Sequence, residues 1–176
     1  MNNGFLRTCL CATPSLLVLG QMAAQSYFQR VYGGFANESI FCAAATADSG
    51  MVAGGYTLSF VSGSNNADML MLKCDKHGNM QWCKHYDLGF VGNAGSITTL
   101  PDGGLLVTGT NDHIVGVALK LDGSGTPVWG RRNNSVDTYR ASSIGNDSSL
   151  FIAGETNGGN SDMIVDKLAW DGSPLW

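Results

Sequence analysis

Short apolar runs separated by turn residues recur along the chain, and they lack the spacing of an amphipathic helix. In one example the runs Leu105–Thr110 and Val115–Leu121 follow the tetrapeptide Pro101-Asp102-Gly103-Gly104. Such a tetrapeptide predicts a tight turn, because glycine adopts positive φ at no steric cost. Apolar residues at i, i+3, i+4 and i+7 are not sustained in any segment after residue 27. We therefore expect an all-β fold.

Some of these runs are apolar at consecutive positions instead of alternating. Met69–Leu72 and Val117–Leu119 are two examples. A strand with one solvent-exposed face alternates between apolar and polar residues, whereas a strand buried on both faces does not. The pattern predicts sheets that are covered on both sides.

One set of residues repeats along the chain at a constant spacing of 47 positions. The period is marked by a tryptophan, by a lysine nine positions before it and by a glycine four positions before it. The markers are Trp82, Trp129 and Trp176; Lys73, Lys120 and Lys167; and Gly78, Gly125 and Gly172. Several residue types with one period are typical of repeat architectures. We define repeats 28–82, 83–129 and 130–176, with Phe28 in the tryptophan position before the first of them.

Each repeat also contains a turn aspartate followed seven positions later by a glycine. The pairs are Asp48 and Gly55, Asp102 and Gly109, and Asp147 and Gly154. The length between that glycine and the lysine varies from repeat to repeat, which predicts one variable loop per repeat. The third repeat has Asp147-Ser148-Ser149 without the turn glycines, so its turn type stays open.

In the second repeat we predict strands at 96–100, 105–110, 115–121 and 128–132. Four strands in roughly 45 residues, repeated and covered on both faces, are typical of propeller blades. The expected fold is therefore a partial β-propeller of about three four-stranded blades. Propellers commonly have about four to eight blades. Two explanations stay open: the chain is a fragment that ends at Trp176, or copies associate through open blade edges, for instance as two halves of a six-blade ring.

The repeat resembles the DGG-type propeller repeats of secreted bacterial proteins. The resemblance rests on Tyr32-Gly33-Gly34, Asp102-Gly103-Gly104, Asp68 to Lys73, and Asp75 to Trp82, and it covers residues 28–176. The ending Gly-x-x-x-Trp is also similar to the tryptophan motif of quinoprotein-type propellers. That resemblance implies a tryptophan that docks on the glycine turn of a neighbouring blade, and it implies little about activity.

Composition and charge narrow the classes of partner. Only 14 % of the residues are charged, against about 25 % in an average protein. The 10 basic and 14 acidic residues give a net charge of −4. Because the chain has no excess of cations to neutralise phosphates, we expect no nucleic-acid partner.

The N-terminal residues have the features of a secretory signal peptide. Arg7 precedes an uncharged, mostly apolar stretch, and Ala24-Gln25-Ser26 is a small-x-small cleavage site. The stretch is too interrupted for a membrane span. We predict a signal peptide at 1–26, a module at 27–176, and a secreted or cell-envelope location. Cys42, Cys74 and Cys83 would then remain, as buried thiols or with a Cys74–Cys83 disulfide.

The sequence contains no known catalytic or cofactor-binding motif. The histidines His77, His85 and His113 have no metal-ligand spacing. Asp68 and Asp162 follow polar loops and are interpreted as loop-closing side chains, with calcium coordination as the alternative. The repeated lysines are interpreted as structural, with stems over apolar surface and ammonium groups reaching water or an acid.

We expect a non-catalytic module with a binding or scaffold role. It has no predicted catalytic, cofactor or metal residues, and its ligand is open, with carbohydrate or protein as candidates. The alternative is part of a propeller enzyme, of the polysaccharide lyase or glycoside hydrolase type, with its site at the channel mouth. The two differ in whether acids, histidines or aromatic rings converge on one surface.

Overall fold

The computed structural model describes residues 29–60, 67–89, 91–111 and 114–176. These residues form strands and turns and contain no helix, so the expectation of an all-β chain is confirmed there. It follows that none of them forms an apolar helix long enough to cross a membrane. The strands are β1 (Glu38–Ala45), β2 (Met51–Thr57), β3 (Asp68–Cys74), β4 (Met80–Tyr86), β5 (Gly92–Thr99), β6 (Leu105–Asn111), β7 (Val115–Leu121), β8 (Pro127–Asn133), β9 (Val136–Ile144), β10 (Leu150–Thr156) and β11 (Met163–Leu168).

The strands form three antiparallel sheets in which neighbours in the chain are neighbours in space. Sheet 1 contains β1 to β4, sheet 2 contains β5 to β8, and sheet 3 contains β9 to β11. The first strand of each sheet packs against the sheet before it: β5 lies on β1, β2 and β3, and β9 lies on β5, β6 and β7. The sheets are thus stacked in series in chain order.

The hairpin between the first two strands of every sheet is the same turn, although its sequence varies. Gly103 has a φ of 79° there, and Ser49 and Ser148 take its place at 63° and 61°. The turn aspartate accepts a hydrogen bond from the second following N–H in each case, at 2.9 to 3.1 Å. This bond fixes the turn, so serine adopts the conformation that is easier for glycine. The open question about the third repeat is answered by this geometry.

The sheets are offset from the sequence repeats by about half a strand. Trp82 and Trp129 lie inside β4 and β8, which continue four residues past them. Sheet 3 has three strands instead of the expected four, and Pro174, the equivalent of Pro127 in β8, forms an isolated bridge with Leu168. The Lys167 N–H donates to the Trp176 carbonyl at 2.9 Å. This matches the register of Lys73 with Trp82 and of Lys120 with Trp129.

The core consists of two apolar layers between the sheets. The first, between sheets 1 and 2, contains Val52, Met69 and Met71 against Leu105, Val107, Val117 and Leu119. The second, between sheets 2 and 3, contains Leu100, Leu106 and Ala118 against Val136, Tyr139, Leu150, Ile152 and Leu168. Sheet 2 therefore contributes to both layers, and its central strands β6 and β7 are buried on both faces, as predicted.

The rings of Trp82 and Trp129 each rest on a turn glycine of the following sheet. The Trp82 ring lies 3.1 Å from where a Cβ on Gly125 would stand, and the Trp129 ring lies 2.8 Å from the same point on Gly172. The Trp129 indole N–H also donates to the Trp170 carbonyl at 3.1 Å. A side chain on either glycine would displace the ring, so the fixed tryptophan-to-glycine spacing has a steric cause.

The repeated lysines form ion pairs with the turn aspartates of their own sheets. Lys73 pairs with Asp48, Lys120 with Asp102 at 3.1 Å, and Lys167 with Asp147 at 2.9 Å. The Lys120 ammonium also lies 3.7 Å from the centre of the Trp170 ring. Each lysine thus joins the third strand of a sheet to the hairpin of its first two strands, in agreement with the structural role predicted for it.

Candidate functional site

A β-bulge interrupts the first strand of every sheet at the same place. Phe41 in β1, Gly95 in β5 and Arg140 in β9 are the extra residues, each without a partner on the neighbouring strand. Sheet 3 has a second irregularity that leaves Asp137 unpaired as well. A bulge redirects its side chain out of the regular alternation. Equivalent positions of three sheets are therefore redirected together.

The repeated glycine of each sheet causes close approach at this bulge. A Cβ on Gly55, Gly109 or Gly154 would stand 1.8 to 2.0 Å from a carbonyl oxygen of the bulged strand. That distance is far inside van der Waals contact, so only glycine fits. The glycine that follows the turn aspartate by seven residues thus allows the first two strands to approach closely beside the bulge.

The bulged residues line one cleft, which we call the inner cleft and define by Phe41, Asn93, Gly95, Asp137 and Arg140. Its volume is about 420 Å³, within the roughly 300–1,000 Å³ of small-molecule sites. Gly95 supplies no side chain, so space is left between the aromatic ring and the guanidinium group. A cleft formed by β1, β5 and β9 requires all three sheets.

The rim of the inner cleft carries an aromatic ring and an arginine. The Phe41 ring is 56 % exposed and packs against Tyr56 with centroids 5.9 Å apart. Arg140 Nε donates to Glu155 Oε1 at 2.6 Å, and Arg140 Nη2 donates to Oε2 at 3.3 Å. The hydrogen bond from Arg140 lowers the pKa of Glu155, and the same bond raises the pKa of Arg140. The guanidinium is therefore oriented and its charge is balanced.

An unused acceptor lies in the wall of the cleft. Asn93 Oδ1 is buried and accepts no hydrogen bond from the residues that the structure describes. Nearby, the Thr110 hydroxyl donates to the Asp137 carbonyl at 2.8 Å and joins sheets 2 and 3. Most buried polar atoms in proteins have a hydrogen-bond partner. Asn93 Oδ1 is thus a buried acceptor whose hydrogen-bonding capacity is unused among the described residues.

A second cavity, of about 280 Å³, lies between sheets 2 and 3 and is lined by Asn133, Tyr139 and Asp166. Its polar groups bond to one another: the Tyr139 hydroxyl donates to Asp166, and the Asn133 amide donates to Asp166 at 3.3 Å. Burial, followed by the bond to Asp166, raises the pKa of Tyr139. This cluster is internally satisfied, so it is a weaker candidate than the inner cleft.

The residues that the sequence analysis considered as metal ligands do not line the inner cleft. Asp68 is buried and contacts the His85 ring at 2.7 Å, while the Asp162 N–H bonds to the Thr156 hydroxyl at 3.0 Å. His77 lies in the turn after β3, and His113 is outside the described residues. Within the described ranges no three acidic, histidine or cysteine side chains converge as metal ligands do.

The three cysteines outside the predicted signal peptide carry free thiols. Cys74 lies opposite Met80 and Cys83 lies opposite Leu72, so the two do not face each other across the hairpin. Burial raises the pKa of the Cys42 thiol to about 11. At neutral pH that thiol is protonated and acts as a small apolar side chain.

Sequence reasoning did not select any residue of the inner cleft. A signal was nevertheless present, since Phe41, Gly95 and Arg140 each stand fourteen positions before the close-approach glycine of their sheet. The spacing was missed because the residue type differs in every repeat. Only the backbone irregularity is shared, and it has no fixed side chain.

Comparison with known proteins informs the fold alone. No protein-family model and no curated protein sequence matches the chain. Among solved structures it is similar to one described as the crystal structure of the eukaryotic initiation factor, with a TM-score of 0.55 and 15 % sequence identity. The match covers 85 % of this chain and 34 % of that chain, so this chain spans about a third of the length of the solved structure.

Proposed function

We propose that the chain is a non-catalytic, secreted β-propeller-type module that binds a ligand in its inner cleft. In this proposal the three sheets are blades, and Trp82 and Trp129 dock the first on the second and the second on the third. The observation that carries the binding role is the set of equivalent bulges, which redirects Phe41, Arg140 and Asp137 toward one space. Bulges are common beside functional sites because they re-aim side chains.

The chemistry of the inner cleft favours a neutral carbohydrate. It offers the exposed Phe41 ring, a carboxylate acceptor at Asp137 and a guanidinium donor at Arg140. A sugar hydroxyl both donates and accepts, so it satisfies such a mixed set. Because Glu155 balances Arg140, Asp137 leaves a local excess of negative charge that disfavours acidic ligands.

A glycan array covering neutral and acidic oligosaccharides, probed with the full chain, tests this function. We expect binding to neutral glycans, and Phe41→Ala should weaken it by roughly three- to tenfold, as expected for losing an aromatic contact. Phe60→Ala is the matched control, because Phe60 is also exposed but stacks on His85 outside the cleft. Equal losses in both variants, or no glycan binding, would contradict the proposal.

The same glycans decide between a binding module and an enzyme. Mass spectrometry of each bound oligosaccharide after prolonged incubation should show an unchanged ligand. Cleaved or unsaturated products would instead support the lyase or hydrolase alternative. If the chain is a binding module, Arg140→Met, which removes the guanidinium group, should abolish glycan binding, and neither the variant nor the original chain should convert a glycan.

Secretion is proposed from the sequence of residues 1–26, which lie outside the described residues. Expression of the full chain in a bacterial host, followed by cell fractionation, tests it. We expect an extracytoplasmic product that has lost these residues and begins near Tyr27. An uncleaved product that stays in the cytoplasm would contradict it.

A further inference from the structure

A second residue accompanies the bulge in every sheet, which we call the support residue. It directly follows the close-approach glycine and stands fifteen positions after the bulged residue, so that the three support residues are Tyr56, Thr110 and Glu155. In sheet 1 the support residue Tyr56 packs on Phe41 with ring centroids 5.9 Å apart. In sheet 3 the support residue Glu155 accepts a hydrogen bond from Arg140 Nε at 2.6 Å. Wherever the bulged residue has a side chain, the support residue contacts it.

The support residue of sheet 3 occupies the edge of Arg140 that binds a carboxylate. Arg140 Nη2 donates to the second oxygen of Glu155 at 3.3 Å, so the contact has two hydrogen bonds. Arginine commonly holds the carboxylate of a ligand through the same two-bond geometry. The Arg140 side chain is 64 % exposed and lines the inner cleft, and its other N–H groups can still donate to a hydroxyl. Glu155 thus stands where a ligand carboxylate would bind.

Glu155 also determines the charge at the inner cleft. Asp137 lines the cleft and takes part in no ion pair within the described ranges. The hydrogen bond from Arg140 lowers the pKa of Glu155, so Glu155 is ionised at neutral pH. The carboxylates of Glu155 and Asp137 together outweigh the guanidinium of Arg140. Without the charge of Glu155, Arg140 and Asp137 would balance, and the repulsion of an acidic ligand would decrease.

We infer that Glu155 sets the charge class of the ligand, because it excludes sugars that carry a carboxylate and leaves the inner cleft to neutral ones. This inference rests on the proposed carbohydrate-binding function of the cleft. An acidic sugar would have to displace Glu155 from Arg140 and would also lie close to Asp137. A neutral sugar needs only the N–H groups of Arg140 that Glu155 does not use. A built-in competitor of this kind gives specificity by penalising the wrong ligand.

Glu155→Gln tests the inference, because the amide oxygen can still accept from Arg140 Nε but carries no charge. Isothermal titration calorimetry of the full chain uses pairs of trisaccharides that share a linkage and differ only at C6. The pairs are β-1,4-linked glucose and glucuronic acid, and α-1,4-linked galactose and galacturonic acid. We expect Glu155→Gln to bind a uronic acid trimer at least about tenfold more tightly than the original chain does, as a charged hydrogen-bond pair implies. The affinity for the neutral trimers should stay nearly unchanged.

Three further variants show whether Glu155 acts through Arg140. Glu155→Thr introduces the residue type that sheet 2 has at the equivalent position, Thr110, and should give the same gain in uronic acid binding. Adding Arg140→Met to Glu155→Gln should abolish the gain, because the guanidinium group is then absent. Asp75→Asn is the matched control, since it removes one carboxylate charge directly after β3 and outside the cleft. Circular dichroism confirms that each variant is folded.

Three results would overturn the inference. The first is that neither Glu155→Gln nor Glu155→Thr gains affinity for a uronic acid trimer. The second is an equal gain in Asp75→Asn, which would indicate an effect of total charge. The third is a gain that persists after Arg140→Met is added. Failure of the proposed function is distinguished from these results, because it would appear as a lack of neutral-glycan binding by the original chain, whereas the gain in uronic acid binding is measured independently.

Discussion

Sheets 2 and 3 have the same sequence features but differ greatly in burial. Every residue of β6 in sheet 2 is buried, whereas most of β10 in sheet 3 is only partly buried. Sheet 2 has a neighbour on each face, and sheet 3 packs against sheet 2 on one face. Burial in this molecule is thus decided by neighbouring sheets and cannot be deduced from the repeat alone.

The largest expected effect comes from one core position in the two sheets. Leu106 and Phe151 both stand four residues after the turn aspartate, but Leu106 is fully buried. Leu106→Ala should lower the free energy of unfolding by about 3 kcal/mol, because it leaves a cavity between sheets. Phe151→Ala should cost only about 1 kcal/mol, because Phe151 is partly exposed and less apolar area is lost from the core. Urea unfolding of both variants measures this, and equal losses would break the comparison.

Gly103 and Gly172 both have positive φ, but only Gly172 also contacts a tryptophan ring, so substitutions at the two positions distinguish the cost of backbone strain from the cost of lost packing. A Cβ on Gly172 would stand 2.8 Å from the Trp129 ring, while nothing lies within 4 Å of one on Gly103. Gly103→Ala should cost about 1 kcal/mol from its left-handed backbone alone. Gly172→Ala should cost about 2–3 kcal/mol, because the tryptophan must also move. Thermal unfolding with tryptophan fluorescence tests both, and an unchanged Trp129 environment in Gly172→Ala would refute the docking role.

The repeated ion pairs should differ in strength between the same two sheets. The Lys120 side chain is 6 % exposed and lies over Trp170, whereas the Lys167 side chain is 20 % exposed. Lys120→Met should lower stability by about 1 kcal/mol through loss of the pair and the ring contact. Lys167→Met should have a smaller effect, since solvent screens that pair. Chemical denaturation of the two variants measures both losses in the free energy of unfolding. A larger loss in Lys167→Met than in Lys120→Met would contradict the prediction.

The smallest expected effect is a loss of stability in acid. Hydrogen bonds from Lys73 to Asp48, and from Ser149 and Lys167 to Asp147, hold the pKa of each carboxyl below its usual value of 3.8. Burial raises the pKa of Asp102, but the Gly104 N–H and Lys120 outweigh it and leave that pKa lowered too. Depressed folded-state values stabilise the fold above pH 3.8 and lose this contribution as the pH falls.

Melting curves between pH 7 and pH 2 test this linkage. The melting temperature should be nearly constant near neutral pH and fall below about pH 4. Asp147→Asn should make the decrease of the melting temperature below pH 4 less steep. Asp137→Asn is the control, because it changes a carboxyl outside the three ion pairs and should leave that decrease unchanged. The same decrease of melting temperature in acid for both variants would argue that the lysine–aspartate ion pairs do not contribute to it.

Much of the fold could be predicted, because its causes are local. The strands expected at 105–110 and 115–121 agree closely with β6 and β7, since turn aspartates and glycines mark their ends. The docking of Trp82 and Trp129 on glycine turns was implied by the resemblance of the Gly-x-x-x-Trp ending to quinoprotein-type propellers. The offset between repeats and sheets was not predicted, since a tryptophan does not mark the end of a strand.

The inner cleft could not be predicted for a physical reason. A bulge shifts strand pairing by one residue and so changes which side chains share a face. Phe41 and Arg140 are unremarkable in an alternating pattern and come together only after that shift. The unpaired oxygen of Asn93 likewise depends on which neighbours the fold supplies.

The chain-order stacking of the sheets has a consequence for how the molecule folds. Every sheet pairs only strands that are consecutive in the chain, so its contacts close short loops, and such contacts form quickly. Contacts between sheets, such as the Trp129 ring on Gly172, join residues 43 positions apart. Sheet 1 ends at Tyr86, well before Val136 begins sheet 3. During synthesis from the N-terminus, each sheet can therefore form in turn and serve as the surface on which the next one docks.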